Sequence, residues 1–309
     1  MPRVRRWGAI PAIAALTILA TLALAPAASA TFPDRNGRIA FQAQTDHGVQ
    51  IFTVRPNGRD LRQITHVDGD ALYPDWSPDG LRIAFAYNDC SVGIMDADGG
   101  NLGLIADDPG LCQSDPSFTP DGQRILFEHF DWLGTGADEV WSMKPDGTDK
   151  GLVTSSGAVD PNMSPDGSKL SFKAPSGPES ALFVENVDGT GLVQLSPTVS
   201  VAYKHDWAPN GQHLVYGDKS EPAADEPVNI VTVRPDGTDT RYLTHYTGAV
   251  RANVGGYSPD GQWIVFRLDA NGMSTLCRIR PDGSELHAIL RASSTLVPRH
   301  IDWGPAAHD

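Results

Sequence analysis

The chain has little cysteine, few basic side chains and no long apolar run after its first 30 residues. Only three cysteines occur among 309 residues, so at most one disulfide forms and one thiol is left over. Lys and Arg number 24 against 38 Asp and Glu, which gives a net charge of −14. Such an acidic surface repels phosphates, so nucleic acid is excluded as a partner. The sequence has no G-x-S-x-G, H-E-x-x-H, P-loop or C-x-x-C motif, and it therefore indicates none of the enzyme classes that these motifs mark.

Residues 1–30 have the three parts of a secretory signal peptide. Arg3, Arg5 and Arg6 form a basic start, residues 9–24 are apolar, and Ala28-Ser-Ala30 matches an A-x-A cleavage site. Cleavage removes three basic residues, which leaves 21 against 38 acidic ones and a net charge of −17. The sequence predicts an exported protein, periplasmic or extracellular, with no transmembrane anchor after cleavage. We expect residues 31–309 to form the folded part, as a monomer.

One phrase recurs six times in residues 31–309. An apolar or aromatic residue precedes a Pro-Asp-Gly or Pro-Asn-Gly turn, and a β-rich tetrad follows the turn. The complete turns are Trp76-Ser-Pro-Asp-Gly80, Phe118-Thr-Pro-Asp-Gly122, Met163-Ser-Pro-Asp-Gly167, Trp207-Ala-Pro-Asn-Gly211 and Tyr257-Ser-Pro-Asp-Gly261. The sixth copy is divided, because Arg38-Ile-Ala-Phe41 opens this part of the chain and Trp303-Gly-Pro305 closes it.

A second tight turn follows in every repeat. Its glycines are spaced 41, 48, 42, 48 and 46 residues apart, at Gly58, Gly99, Gly147, Gly189, Gly237 and Gly283. Short β-branched and aromatic segments flank both turns, so each repeat contains four strands. Four antiparallel strands at a period of ~40–50 residues are typical of a propeller blade. The sequence therefore predicts an all-β, six-bladed β-propeller over residues 31–309, closed by pairing the C-terminal strand with the N-terminal blade.

The repeated phrase x-P-x-W-S-P-D-G-x-x-I-A-F, followed by I-x-x-V-x-x-D-G-x-x-x-x-x-L-T, resembles the WD40-like propeller repeat of the TolB family. The resemblance extends over residues 31–309 and implies the propeller fold. It implies less about function, because propellers of this kind serve unrelated roles. The repeats begin within a few residues of the cleavage site, so we do not expect the N-terminal α/β domain that precedes the propeller in the protein that names the family.

The innermost strand of each blade is expected to line a central channel. The candidate binding residues on these strands are Asp75, Asp115, Asp160, Asp206, His300 and Asp302. Converging carboxylates are ligands that Ca²⁺ prefers, whereas bonding to backbone or channel water is the alternative interpretation. We expect no cofactor and assign no metal ligand, and Ca²⁺ remains an open alternative.

Longer loops are expected on the face opposite the tight turns. Cys90 ends a second strand and Cys112 precedes an innermost strand, so both belong to this face and are predicted to form the disulfide; the alternative is two reduced thiols. Phe130 and Trp132 lie among carboxylates in an irregular segment. They are candidates for a partner-binding rim, with packing against their own blade as the alternative.

These features predict a secreted or periplasmic, non-catalytic scaffold. It is expected to bind a protein or an envelope component through the long-loop face and the channel mouth. The alternative is a carbohydrate-active hydrolase or lyase that uses two channel carboxylates.

Overall fold

The computed structural model describes residues 35–131, 138–154, 157–176, 179–196, 201–219, 226–292 and 296–307. The predicted signal peptide, residues 1–30, lies outside these ranges. Within them no helix has the length and apolar character needed to cross a membrane. The described elements are β-strands, as the alternation of β-rich tetrads and turns predicts.

The first and last strands belong to one sheet. Strand β24 pairs with β1, which pairs with β2 and then with β3. Their bounds are β1 Asn36–Thr45, β2 Gly48–Val54, β3 Arg62–Gln63 and β24 Arg299–Pro305. Ile39 lies opposite Trp303 and Ala40 opposite Asp302 in an antiparallel register. The two parts of the divided repeat thus form one sheet, and this pairing closes the ring.

Three further sheets have four strands each, in chain order. One contains β4 Ala71–Trp76, β5 Arg82–Tyr87, β6 Ser91–Asp96 and β7 Gly103–Ala106. The next contains β8 Leu111–Phe118, β9 Ile125–Asp131, β10 Glu139–Met143 and β11 Gly151–Thr154. The third contains β12 Val159–Met163, β13 Lys169–Ser176, β14 Glu179–Asn186 and β15 Val193–Gln194.

The remaining strands form a single eight-stranded sheet. Its strands are β16 Val201–Trp207, β17 Leu214–Lys219, β18 Val228–Val233, β19 Arg241–Tyr242, β20 Arg251–Tyr257, β21 Ile264–Ala270, β22 Met273–Ile279 and β23 His287–Arg291. The prediction of six separate four-stranded blades is therefore wrong. The structure has four four-stranded blades, and this larger sheet completes the ring.

The join inside the larger sheet has a local cause. Val228 pairs in parallel with Arg251, and the Val228 amide donates to the Val250 carbonyl at 3.1 Å. This contact links β18 to β20 through the backbone. A repeat pattern counts turns and strands, but it carries no information on hydrogen bonds between neighbouring repeats, so the sequence did not reveal this join.

The apolar cores lie between the strands of neighbouring repeats. The aromatic residue at the end of each tetrad is 0–1% exposed at all six positions, Phe41, Phe85, Phe127, Phe172, Tyr216 and Phe266. Ala40 and Ile51 of the first sheet pack against Ile83 and Phe85 of the second. Full burial of such a side chain contributes roughly 1.5–3 kcal/mol, and this repeated packing holds the ring together.

The Pro-Asp-Gly turns are held by a recurring set of hydrogen bonds. In the first turn Ser77 Oγ donates to Asp79 Oδ1 at 2.6 Å, and the Leu81 amide donates to the same oxygen at 3.0 Å. Gly80 has a φ of +69°, which favours glycine over residues with a side chain. The turn brings Trp76 and the following strand to the same end of the channel.

Candidate binding site in the central channel

The innermost strands β4, β8, β12, β16, β20 and β24 contact one another in a closed cycle around the channel. Each has a register shift against its partner strand near the middle. At four of these shifts the backbone has a positive φ, at Tyr73, Asp115, Asp160 and His300. Such bulges re-aim side chains, and residues of all four bulges line the channel.

Three predicted carboxylates connect one innermost strand to another, and two of these bonds join different sheets. Asp302 Oδ2 accepts the Trp76 amide at 2.8 Å, and Asp75 Oδ2 accepts the Phe118 amide at 2.8 Å. Asp206 Oδ2 accepts the Tyr257 amide at 2.7 Å. The structure thus places Asp75, Asp206 and Asp302 in the channel as predicted, and each of them bonds to backbone.

Gly256 makes room for the third of these bonds. A Cβ at this position would lie 2.6 Å from Asp206 Oδ2, which is too close for two non-bonded atoms. The position corresponds to Asp75 and Asp302 in the other innermost strands. Here the absence of a side chain leaves space for the Asp206 carboxylate.

Lys204 lies among these carboxylates. Its Nζ is 3.0 Å from Asp302 Oδ1 and 3.7 Å from Asp75 Oδ1. Burial opposes the ammonium charge, but Asp302 and Asp75 outweigh it and raise the pKa of Lys204 further. The lysine therefore stays charged and supplies a positive charge within the channel.

Burial raises the pKa of two of the channel carboxyl groups. The pKa of Asp75 rises to about 8 through burial and the nearby charge of Asp302, despite the opposing effect of Lys204. The pKa of Asp206 rises to about 6, again mainly through burial. Asp75 therefore holds a proton at neutral pH, which reduces the charge repulsion inside the ring.

Asp160 is part of a separate buried network. Its Oδ2 lies 3.2 Å from His205 Nδ1 and 3.2 Å from Lys173 Nζ. Burial alone would raise the pKa of Asp160, but Lys173 and His205 together hold it well below its usual range. The Asp160 amide in turn donates to Glu128 Oε1 at 2.6 Å, and burial raises the pKa of Glu128 to about 7.

Ser171, His205 and Asp160 are arranged in the order of a catalytic triad. His205 Nε2 lies 2.9 Å from Ser171 Oγ. That hydroxyl already donates to the Asn162 carbonyl at 3.0 Å and accepts Trp207 Nε1 at 2.8 Å. Ser171 and His205 are both 0% exposed, so no substrate reaches the hydroxyl in this structure. The three residues form an internal hydrogen-bond network that fixes Trp207.

Asp115 and His300 line the half of the channel nearer the long loops. They border a small cavity of about 10 Å³ with Tyr73, Asp160 and Lys204. Burial, reinforced by Asp160 and Glu128, raises the pKa of Asp115 well above its usual range. Burial lowers the pKa of His300 to about 3, and its neutral ring packs edge-on against Tyr73 at 4.4 Å between centroids.

The other half of the channel opens on the face of the Pro-Asp-Gly turns. Its mouth is a cavity of about 80 Å³. The wall is built from the residues that precede the turns and from the turn prolines: Trp76, Phe118, Met163, Trp207, Tyr257, Trp303, Pro78, Pro120, Pro165, Pro209 and Pro259. Asp75, Asp206 and Asp302 supply polar groups in the same cavity. This aromatic mouth, on the tight-turn face, is the larger of the two channel cavities, whereas the sequence analysis emphasised the long-loop face.

The long-loop candidates have different outcomes. Cys90 and Cys112 form the disulfide that the sequence predicted, and Cys277 is a buried free thiol. Phe130 lies opposite Cys112 in the pairing of β8 with β9 and is half-buried. Trp132 lies outside the described residues, so the predicted aromatic rim stays a prediction.

The described residues contain no group of three or more His, Cys, Asp and Glu side chains arranged to hold a metal ion. The calcium alternative stays a prediction. Sequence reasoning missed Ser171, Lys173 and Glu128, which complete the Asp160 network. One signal was available for Ser171, because the other tetrads have Ala, Leu or Val at its position.

Comparison with known proteins places this geometry in a family. The model of the TolB beta propeller domain matches residues 74–306. The chain belongs to this family. The resemblance read from its repeats is thus confirmed.

Two curated proteins are similar to this TolB-family chain. An uncharacterized protein of Agrobacterium fabrum is 29% identical over 193 residues, 62% of this chain and 60% of that protein. The protein TolB homolog of Chlorobium luteolum is 27% identical over 203 residues, 65% of this chain and 45% of that protein. The chain thus matches only 60% and 45% of the length of these relatives.

Among solved structures, the crystal structure of TolB from Acinetobacter baumannii is similar with a TM-score of 0.72. Sequence identity is 19%, and the match covers 87% of this chain and 67% of that one. At this identity the likeness concerns the fold alone.

Proposed function

We propose that this TolB-family propeller is exported and acts as a non-catalytic scaffold that binds a protein or an envelope component at the mouth of its channel. Export is supported by the signal-peptide pattern of residues 1–30. The scaffold role is supported by the family match over residues 74–306.

The aromatic mouth carries the proposal. Trp and Tyr side chains dominate binding energy at protein interfaces, and here they surround a preformed cavity of about 80 Å³. The rigid ring sets their positions before binding, so little ordering is needed when a ligand enters. Carboxyl groups at Asp75, Asp206 and Asp302 favour a ligand that brings hydrogen-bond donors or a positive charge. An extended segment with an apolar residue next to a basic or amide group fits this lining.

The contacts of the carboxylates argue against the carbohydrate-active alternative. Asp75, Asp206 and Asp302 each accept a backbone amide of the next innermost strand, and Lys204 is paired with Asp302. A general acid or nucleophile needs a free oxygen directed at the substrate. These carboxylates connect the innermost strands to one another.

Site-specific photocrosslinking tests the proposal. A photoreactive residue at Met163, a half-buried residue of the mouth, is expected to give a discrete adduct in cells that export the protein. The same residue at Leu152 on strand β11, which is 53% exposed and outside the mouth, is the control and is expected to give none. The adduct partner is then purified and titrated against the wild-type propeller and an Asp206→Asn variant.

Saturable binding that weakens in the Asp206→Asn variant supports the proposal. Equal adducts at both positions, or binding that is unaffected by a blocked mouth (Met163→Trp), contradict it.

A further inference from the structure

A recurring ion pair holds the outer part of two repeats. Arg38, at the first position of its tetrad, donates Nε to Thr53 Oγ1 at 3.0 Å and Nη1 to Asp60 Oδ2 at 2.8 Å. Arg124 repeats both contacts with Ser142 and Asp149, at 3.0 and 2.8 Å. The position is thus occupied by a cation whose donors are satisfied by a hydroxyl and a carboxylate.

The last repeat exchanges these roles. Trp263 occupies the tetrad position of Arg38 and Arg124. Arg278 occupies the position of Thr53 and Ser142, because Val265 pairs with Arg278 as Ala40 pairs with Thr53. The Arg278 guanidinium lies over the Trp263 ring, 4.2 Å from its centroid. Arg278 therefore stacks on a ring, whereas Arg38 and Arg124 bond to a hydroxyl and a carboxylate.

Among the residues that the structure describes, Arg278 has no ion-pair partner. Its Nε is buried and has no hydrogen-bond partner within the described residues. The guanidinium carbon of the neighbouring Arg280 is 3.9 Å from the Trp263 centroid. Arg280 forms an ion pair with Glu285 at 3.5 Å. Stacking on the indole fixes the plane of the Arg278 guanidinium and preorganises it for a ligand.

A groove beside Arg278 gathers more positive charge. It has a volume of about 420 Å³ and lies between the first sheet and the eight-stranded sheet. Its lining residues are Asn36, Gly37, Arg38, Arg55, Pro56, Asn57 and Arg278. Asp60 pairs with three cations, Arg38, Arg55 and Arg62, so this group has a net charge of +2. The side chain of Arg55 is 60% exposed. A second carboxylate beside the groove, Asp260, is bonded to Asn36 of the groove lining and to Ser258.

We propose that this groove is an anion-binding site for a phosphate or carboxylate group, held by Arg278 and Arg55. A positive groove is unexpected from composition, because the chain carries a net charge of −14. Guanidinium forks match the geometry of these oxyanions. The groove is lined by none of the residues of the channel mouth, so the site is independent of the proposed scaffold function.

Titration with inorganic phosphate and with acetate at low ionic strength tests the site, with the arginine Nε–H and indole N–H signals followed by NMR. We expect saturable shifts at Arg278 and Trp263. Arg278→Gln and Arg55→Gln should each raise Kd about tenfold, the loss of one charge-assisted hydrogen bond. Arg241→Gln removes the same charge from an outer strand, where the side chain is 68% exposed, and should change Kd less than about twofold.

Two further measurements test the geometry of the site and the class of its ligand. Arg278→Lys keeps the charge but loses the fork, so an intermediate Kd is expected. A sugar phosphate and an acidic tripeptide then distinguish a phosphate source from a carboxylate source. The proposal is overturned when neither anion gives saturable shifts at these two residues, or when Arg241→Gln weakens binding as much as Arg278→Gln does.

Discussion

Lys204 Nζ lies 3.0 Å from Asp302 Oδ1 and thereby links strand β16 of the eight-stranded sheet to the last strand of the chain. Both side chains are about 15% exposed, at 14 and 16%. Because Asp302 also accepts the Trp76 amide, this one carboxylate connects three innermost strands. The ring closure therefore depends on a charged contact as well as on the pairing of β24 with β1.

Replacing the lysine tests this dependence. We expect Lys204→Met to lower the free energy of unfolding by about 3–5 kcal/mol, because it leaves the carboxylate of Asp302 buried without its cation. Lys144→Met, at a side chain that is 54% exposed, is the control and should change it by less than about 0.5 kcal/mol. Both are measured by urea unfolding. A loss for Lys204→Met below about 1 kcal/mol, the size typical of a surface pair, contradicts this account.

The raised pKa of Asp75 predicts a pH dependence. The folded state keeps this proton up to about pH 8, whereas the unfolded chain releases it near the ordinary value of 3.8. Between these values the folded state binds more protons, so this group makes the free energy of unfolding fall as pH rises. In Asp75→Asn this contribution is removed. The stability of the variant relative to wild type should therefore increase from about pH 5 to about pH 8, by at most about 1.4 kcal/mol per pH unit.

Urea unfolding at several pH values in this range measures the difference. Ser117→Ala is the matched control, since Ser117 lines the channel at the corresponding position of β8 and has no ionisable group. Its effect should not vary with pH. A relative stability of Asp75→Asn that is flat or decreasing across the range is the outcome that excludes a protonated Asp75.

The network around Ser171 predicts a loss on removal of its hydroxyl. In Ser171→Ala, Trp207 Nε1 and His205 Nε2 lose a buried partner, so we expect the free energy of unfolding to fall by about 1–3 kcal/mol. Ser168→Ala removes an exposed hydroxyl bonded to Asp166 and should cost less than about 0.5 kcal/mol. Thermal and urea unfolding of the two variants are compared. Equal stability of both variants contradicts the assigned role of Ser171.

The disulfide predicts a measurable cross-link. Cys90 and Cys112 are 22 residues apart, and a loop of this size stabilises the folded state by about 3 kcal/mol. The double variant Cys90→Ala/Cys112→Ala should lose about that amount, whereas the wild-type chain should titrate one thiol when denatured without reductant. Cys277→Ala is the control and should leave no free thiol. Three free thiols in the unreduced wild-type chain show that the bridge is absent.

Local sequence patterns explain why much of the fold could be predicted from the sequence. The tetrads and the two turns of each repeat determine strands β1 to β24 through neighbours close in the chain. Asp79, for example, bonds only within its own turn. The placement of Asp75, Asp206 and Asp302 on the channel followed from the same repeat. Their partners did not, because the Phe118 amide that Asp75 accepts lies 43 residues away in the chain.

The Ser171 network and the Arg278 site show most clearly what the repeat pattern could not predict. Each arises because one repeat departs from the others, and the effect of the departure depends on what the neighbouring strand presents. A serine in one tetrad matters because Trp207 and His205 of the next innermost strand lie against it. Arg278 stacks on an aromatic ring because Trp263 stands at the tetrad position where two other repeats have an arginine.

The amino-acid sequence by itself determined the β-strands, the turns and the family, since these follow from short-range periodicity and turn chemistry. The division of one repeat between the two ends of the chain also predicted that these ends pair. The tertiary structure alone decided how the sheets join, which carboxylates pair with Lys204 or Lys173, and where the channel widens. Those features depend on contacts between residues tens to hundreds of positions apart. Their distances, burial and charge arise only when the ring closes.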